Sequence, residues 1–182
     1  MIDPEDFLAS LEKSDIRFVT GVPDSLLKDV CACVTAKLSA TQHIIATNEG
    51  SAIGLAIGQY LASGRPSLVY LQNSGLGNIV NPITSLADPE VYGIPVLLMI
   101  GWRGEVSSDG IQIHDEPQHV KQGRITLDQL DVLDIPYRIV DSKTDIWKIV
   151  EELTDLALLR LGPVAMLVRN QTFSAFNLRD SR

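Results

Sequence analysis

The sequence predicts an α/β domain in which a six-stranded parallel sheet lies between two layers of helices. Three observations carry that expectation. Six short aliphatic runs recur along the 182 residues, and a helical segment separates each from the next. Apolar residues make up 45% of the chain and aromatic residues only 5%, a composition suited to strands buried on both faces. Glycines, amides and carboxylates gather just after the runs, where open parallel sheets collect their ligands. One domain accommodates this length, and no repeat, low-complexity tract or linker divides the chain.

The elements follow in order. Asp3-Pro4-Glu5 starts a helix, with proline in its first turn, early acids, and Phe7, Leu8 and Leu11 as its apolar stripe. Residues 17–22 form a short strand, Pro23-Asp24-Ser25 a turn, and residues 26–38 an amphipathic helix. A second strand at 42–47 leads into a helix headed by Glu49, which Gly64-Arg65-Pro66 ends. The third strand, 67–72, runs into Asn73-Ser74-Gly75-Leu76-Gly77-Asn78 and a helix reaching to about Leu86. The fourth strand, 95–100, is the most apolar. After it the periodicity fails from Gly101 to Gly123, which predicts a long functional loop. A short helix at 126–133, a strand at 137–140, a long helix at 144–161 and a strand at 164–168 complete the pattern. The polar tail is expected to be peripheral.

A net charge of −8 argues against nucleic acid or an anionic membrane as partner. No uncharged apolar stretch is long enough to span a bilayer. Cys31 and Cys33 offer neither a disulfide framework nor a metal-ligand spacing, and the acidic N-terminus carries no signal-peptide pattern. A cytoplasmic location is therefore expected.

The strand-end rule selects Asp24, Glu49, the turn 73–78 and the segment after Gly101 as parts of one site. Glu49 heads fifteen residues without formal charge, among which Gly50, Gly54 and Gly58 recur one turn apart on a shared face. The plainer reading is a buried helix with an acid favoured by the helix dipole. The 73–78 turn could cradle an anion on its backbone amides, but it completes neither a dinucleotide fingerprint nor a phosphate loop. Asp24 could simply cap a helix, unless Ser25 does so instead. His114 and His119 flank Asp115-Glu116-Pro117-Gln118; a histidine there suits proton transfer better than metal binding. Arg103, Lys121 and Arg124 concentrate positive charge beside the proposed site, which suits an anionic substrate as well as a solvated surface.

Several segments together carry a resemblance. They are Thr20-Gly21-Val22-Pro23-Asp24-Ser25-Leu26-Leu27, Asn48-Glu49-Gly50, residues 70–78 and 81–89, Gly101-Trp102-Arg103-Gly104-Glu105, and Asp115-Glu116-Pro117-Gln118-His119. The chain resembles the pyrimidine-binding (PYR) half of thiamine-diphosphate-dependent 2-oxo-acid decarboxylases over residues 18–137. The motifs are most similar to those of phosphonopyruvate decarboxylases, then to those of sulfopyruvate decarboxylases, whose halves are separate subunits.

The resemblance implies the thiamine-diphosphate-binding fold and a single PYR domain over residues 1–182. It implies that Glu49 bonds the cofactor's pyrimidine N1′, with further cofactor contacts at Asn73, Ser74, Gly75, Leu76 and Asn78. Asp24 and His119 would handle protons, while Ser25, Arg103, His114 and Lys121 would face the substrate, a small anionic 2-oxo acid. The family's Gly-Asp-Gly motif and following asparagine, which hold Mg²⁺ and the diphosphate, do not occur here; Asp109-Gly110 lacks the leading glycine. A β subunit carrying that half is therefore expected, and no metal ligand is expected on this chain. The helix bearing Gly50, Gly54 and Gly58 would meet a second copy, giving at least α₂β₂. A non-catalytic regulatory or scaffold subunit is the alternative, against which the presence of Glu49 and Asp24 counts.

Overall fold

The computed structural model describes residues 1–107 and 109–177. Six parallel strands are laid down in chain order: β1 (Val19–Gly21), β2 (His43–Ile45), β3 (Ser67–Gln72), β4 (Val96–Gly101), β5 (Tyr137–Val140) and β6 (Pro163–Val168). Across the sheet their order is β2-β1-β3-β4-β6-β5, parallel at every pairing. β3, β4 and β6 form the centre and are almost wholly buried, which is why these runs are continuous aliphatics without alternation.

The connections are α1 (Pro4–Lys13), α2 (Lys28–Lys37), α3 (Glu49–Ser63), α4 (Leu76–Pro82), α5 (Pro117–Val132) and α6 (Ile146–Arg160). Right-handed crossovers fix the layers. The chain moves one way from β1 to β2 and from β5 to β6, and the other way at the remaining connections. The helices α1, α2 and α6 thus share one face, and α3, α4 and α5 the other. Two separate hydrophobic clusters match the two layers. Phe7, Val30 and Leu153 meet Tyr70 and Met99 on the first face, while Ile53, Ile79 and Leu130 meet Leu71 and Ile100 on the second. Reversal of strand order between β1 and β3 opens a crevice at the carboxyl edge, and the candidate residues stand around it.

Three expectations need correction. Helix α5 begins at Pro117, not near Thr126, and shortens the loop after β4. Proline occupies its first turn, and its early residues are polar because Gln118, Lys121 and Arg124 face solvent. The helix after β3 passes into one π-helical turn over Ile83–Ala87, immediately after Pro82, whose ring cannot donate a backbone hydrogen bond. The tail is not peripheral as far as Phe173. That ring packs edge-on to Phe7 at 5.6 Å, and the Ile2 amide donates to the Thr172 carbonyl at 2.9 Å, so the segment after β6 ties down the N-terminus. Residues 178–182 of that tail lie outside the described residues.

Candidate active site

Glu49 is the first residue of α3. Asn48 caps this helix by accepting the Ser51 amide at 2.9 Å, so the cap role falls to the neighbour and Glu49 is released from it. The Glu49 Oε2 accepts from Asn78 Nδ2 at 2.7 Å, which joins the start of α3 to α4. Gly75 closes the other side: a Cβ there would lie 2.5 Å from Glu49 Cγ and 2.6 Å from Oε1. Only glycine lets the carboxylate lie in this position. Gly50 is also tight, since its Cβ would stand 3.0 Å from the Asn78 carbonyl. The two other glycines of that face, Gly54 and Gly58, meet nothing within 4 Å. The shared glycine face therefore divides into a first residue packed against α4 and two open ones.

The 73–78 turn divides its work similarly. Asn73 is fully buried, and its amide is committed to the scaffold. It donates to the Arg103 carbonyl and Thr126 Oγ1, both at 2.9 Å, and accepts the Arg103 amide at 3.2 Å. The side chain expected to face a cofactor instead pins the end of β3 to the end of β4 and to α5. Leu76 is likewise buried in the core. Ser74 is exposed and accepts from Gln72 Nε2 at 2.8 Å. Of this turn, Gly75 and Asn78 touch Glu49.

Asp24 follows β1 and is buried, with 5% of its surface exposed. It does not cap α2 with its side chain, and neither does Ser25; Leu27 stands at that cap without a side-chain bond. Among the described residues, neither Asp24 oxygen has a hydrogen-bond partner. Burial pushes the carboxyl pKa above its ordinary range; the amides of Leu26, Ser25 and Leu27 and the charge of Arg103 pull the other way and lose. The carboxylate lies against the end of β4, where a Cβ on Gly101 would come 2.2 Å from Asp24 Oδ2. Nearby, burial pushes the Cys31 thiol up to about 11, so it does not supply a thiolate at neutral pH.

The loop after β4 brings the remaining candidates together around a residue the sequence did not single out, Asp115. Its carboxylate accepts from Arg103 Nε at 3.0 Å and Arg103 Nη2 at 2.8 Å, a two-pronged ion pair. The Gly104 and Glu116 amides add bonds of 2.8 Å each, and His119 Nδ1 stands 3.0 Å from Oδ1. The Arg103 bond, followed by those of His119 and the two amides, holds this carboxyl far below the usual range despite its burial. Arg103 also reaches Ser25, with Nη1 donating to Oγ at 2.8 Å. The sequence signal was present, since an acid four residues before a histidine can share its side of a helix start.

Ser25, Arg103, His114 and Asp115, with Trp102 and Glu105, line a cavity of ≈ 190 Å³ at the carboxyl edge. Lys121 is exposed on α5 and does not line it. A larger cavity of ≈ 370 Å³ lies between α1 and α2 beside Ile16 and Val19, before and at the start of β1. It is on the wrong end of the sheet for this chemistry. Among the described residues, no three His, Cys, Asp or Glu side chains gather as a metal-binding group. Among these residues no helix is long and apolar enough to cross a membrane.

Comparison with known proteins places the chain among thiamine-dependent enzymes. The chain is 38% identical over 145 residues to a phosphonopyruvate decarboxylase of Streptomyces viridochromogenes, covering 80% of this chain and 34% of that protein. It is 34% identical over 164 residues to the sulfopyruvate decarboxylase subunit alpha of Methanothermobacter thermautotrophicus, covering 90% of this chain and 93% of the subunit. The chain thus spans about a third of the former relative and nearly all of the latter. Among solved structures, benzoylformate decarboxylase from Polynucleobacter necessarius superposes with a TM-score of 0.64 at 15% identity, over 93% of this chain and 30% of that one. That likeness concerns the fold. Residues 4–132 match the family model described as thiamine pyrophosphate enzyme, N-terminal TPP binding domain, and the chain belongs to that family.

Proposed function

We propose that this chain supplies the pyrimidine side of the active site in a thiamine-diphosphate-dependent decarboxylase of anionic 2-oxo acids. The observation that carries the reading is Glu49: a carboxylate at the carboxyl edge, steadied on one oxygen by Asn78 and given room by Gly75. Among the described residues its other oxygen accepts no hydrogen bond, which fits a ring nitrogen as partner. Thiamine diphosphate, when bound, supplies the electron sink that lets a 2-oxo acid lose carbon dioxide. Glu49 would hold a proton at N1′ of the pyrimidine. Asp24, buried at the neighbouring strand end, would exchange protons on the substrate side. His119 is the second proton carrier, while Ser25, Arg103 and His114 line the cavity that would receive the anionic group.

The partner would be a β subunit holding the diphosphate and Mg²⁺, a division supported by relatives named as alpha subunits. Two substrates compete. 3-Phosphonopyruvate, giving phosphonoacetaldehyde and carbon dioxide, ranks first on the 101–105 and 115–119 motifs, and phosphonopyruvate decarboxylases are among the relatives. Sulfopyruvate is the second reading, favoured by the near-complete overlap with the sulfopyruvate alpha subunits. Carbon dioxide release from the two acids, measured side by side on the complex with cofactor and Mg²⁺, separates them. The expected result is a higher kcat/KM with phosphonopyruvate. Equal or reversed preference overturns that ranking, and no release from either overturns the reaction class.

A further inference from the structure

The link between Arg103 and His119 has no counterpart in the roles assigned so far. We propose that Asp115 is a positioning residue: it fixes His119 as the tautomer with its proton on Nδ1, and at the same time fixes the guanidinium of Arg103. The proposal deepens the decarboxylase reading and rests on it for the use made of His119.

The argument begins with what a carboxylate can do. Ionised, it only accepts hydrogen bonds. Asp115 faces two guanidinium N–H groups and two backbone amides, all donors, so it is held in the ionised form. The nitrogen of His119 that stands 3.0 Å from Oδ1 must therefore carry a hydrogen. A neutral imidazole has only one such hydrogen, so Nε2 keeps its lone pair and becomes the atom that takes a proton.

The geometry is over-determined from outside the pair. Gly104 has φ 63°, the left-handed conformation that turns its amide onto Asp115. Its Cα packs so closely on the start of α5 that a Cβ would meet the His119 carbonyl at 2.2 Å. The same acid thus sets the histidine and the arginine from one point. Of its five N–H groups, Arg103 gives Nε and one on Nη2 to Asp115 and one on Nη1 to Ser25 Oγ, which leaves one on each Nη for an incoming anion. An anion entering the ≈ 190 Å³ cavity would meet a pre-aimed donor pair, not a mobile arginine.

The test is nitrogen-15 NMR of the histidine rings in the purified chain, with His119 assigned by comparison with His119→Gln. The wild-type His119 ring is expected to show the Nδ1–H pattern when neutral. Asp115→Ala should move it toward the Nε2–H form that unconstrained histidine prefers, and Asp115→Glu should restore part of the original pattern. In the holo complex, Asp115→Ala should also lower kcat by about 10–100-fold, the usual cost of removing a partner that orients a working histidine. If the alanine variant does not fold, the wild-type spectrum still decides. An Nε2–H pattern in wild type, or an unchanged ring in a folded Asp115→Ala, overturns the proposal. Failure of the decarboxylase reading would register separately, as absent carbon dioxide release by the wild-type complex with an intact Nδ1–H signature.

Discussion

Glu49 and Asp24 are carboxylates at adjacent strand ends, and their surroundings give them opposite properties. Glu49 is partly exposed and held by one amide. Asp24 is buried with both oxygens unpartnered, so its charged form is costly. The consequence for stability has a definite sign. A native carboxyl with a raised pKa keeps its proton above the pH at which the unfolded chain, near 3.9, releases it. Its protonated form stabilises the fold below the unfolded pKa, and that contribution is lost as pH rises through the folded pKa. Asp24→Asn is accordingly expected to raise Tm at pH 7, with the gain shrinking as pH falls toward about 4, while decarboxylation by the complex falls. Relieving a buried, unsatisfied carboxyl is worth roughly 1–3 kcal/mol, and each kcal/mol shifts Tm by about 2–4 °C at this chain length. Calorimetry at the two pH values checks it; an equal or lower Tm at pH 7 would contradict the burial argument. Gly75→Ala should act on Glu49 alone, displacing the carboxylate and lowering activity without Asp24's pH signature, since its Cβ would stand 2.5 Å from Glu49 Cγ.

At the scale of elements, close backbone approaches decide what can change. Helix α5 is seated on the loop after β4 by two glycines: a Cβ on Gly123 would lie 1.7 Å from the Gly104 carbonyl. Gly123→Ala should therefore push α5 off the loop, costing about 1–3 kcal/mol or more and loosening the Asp115–His119 pair. A thermal melt within 1 °C of wild type would contradict this. The open part of α3 behaves in the opposite way. Gly54 and Gly58 have nothing within 4 Å, so alanine at either should stabilise the helix by about 1 kcal/mol. Leucine at Gly54 should leave the fold intact but weaken self-association, as read by sedimentation, if this face, with exposed Leu55 and Leu61 beside it, meets a second copy. Unchanged association would remove the face from the proposed interface.

The same elements explain what was legible in the sequence. Strands, their order in the chain and the parallel sheet were readable because the central aliphatic runs are buried on both faces and the breaks carry turn residues. Glu49 and Asp24 were readable because a lone acid after an apolar strand stands out. The early turns of α5 were not, because a helix with a polar outer face resembles a loop when its packing partner, the turn at Gly104 after β4, lies outside the helix's own pattern. The scaffold role of the Asn73 side chain was not legible, because its two amide donors go to Arg103 and Thr126, both distant in sequence. Asp115 escaped notice because its role depends on a guanidinium twelve residues away in sequence.

For the whole molecule, the chain presents a crevice at one sheet edge, bordered by Glu49 on one side and the Asp115 cluster on the other. In the proposed assembly this chain supplies the pyrimidine side of the cofactor site, a second subunit the diphosphate and Mg²⁺ side, and a second copy packs across α3. The purified chain should accordingly turn over little substrate alone and gain activity when the partner, thiamine diphosphate and Mg²⁺ are added. The measurement that bears most directly on the central claim is carbon dioxide release by that reconstituted complex, wild type against Glu49→Gln. The account predicts a loss of about 10²–10⁴-fold, the range for a proton-transfer group, with the complex still assembled. Full activity in Glu49→Gln would contradict it.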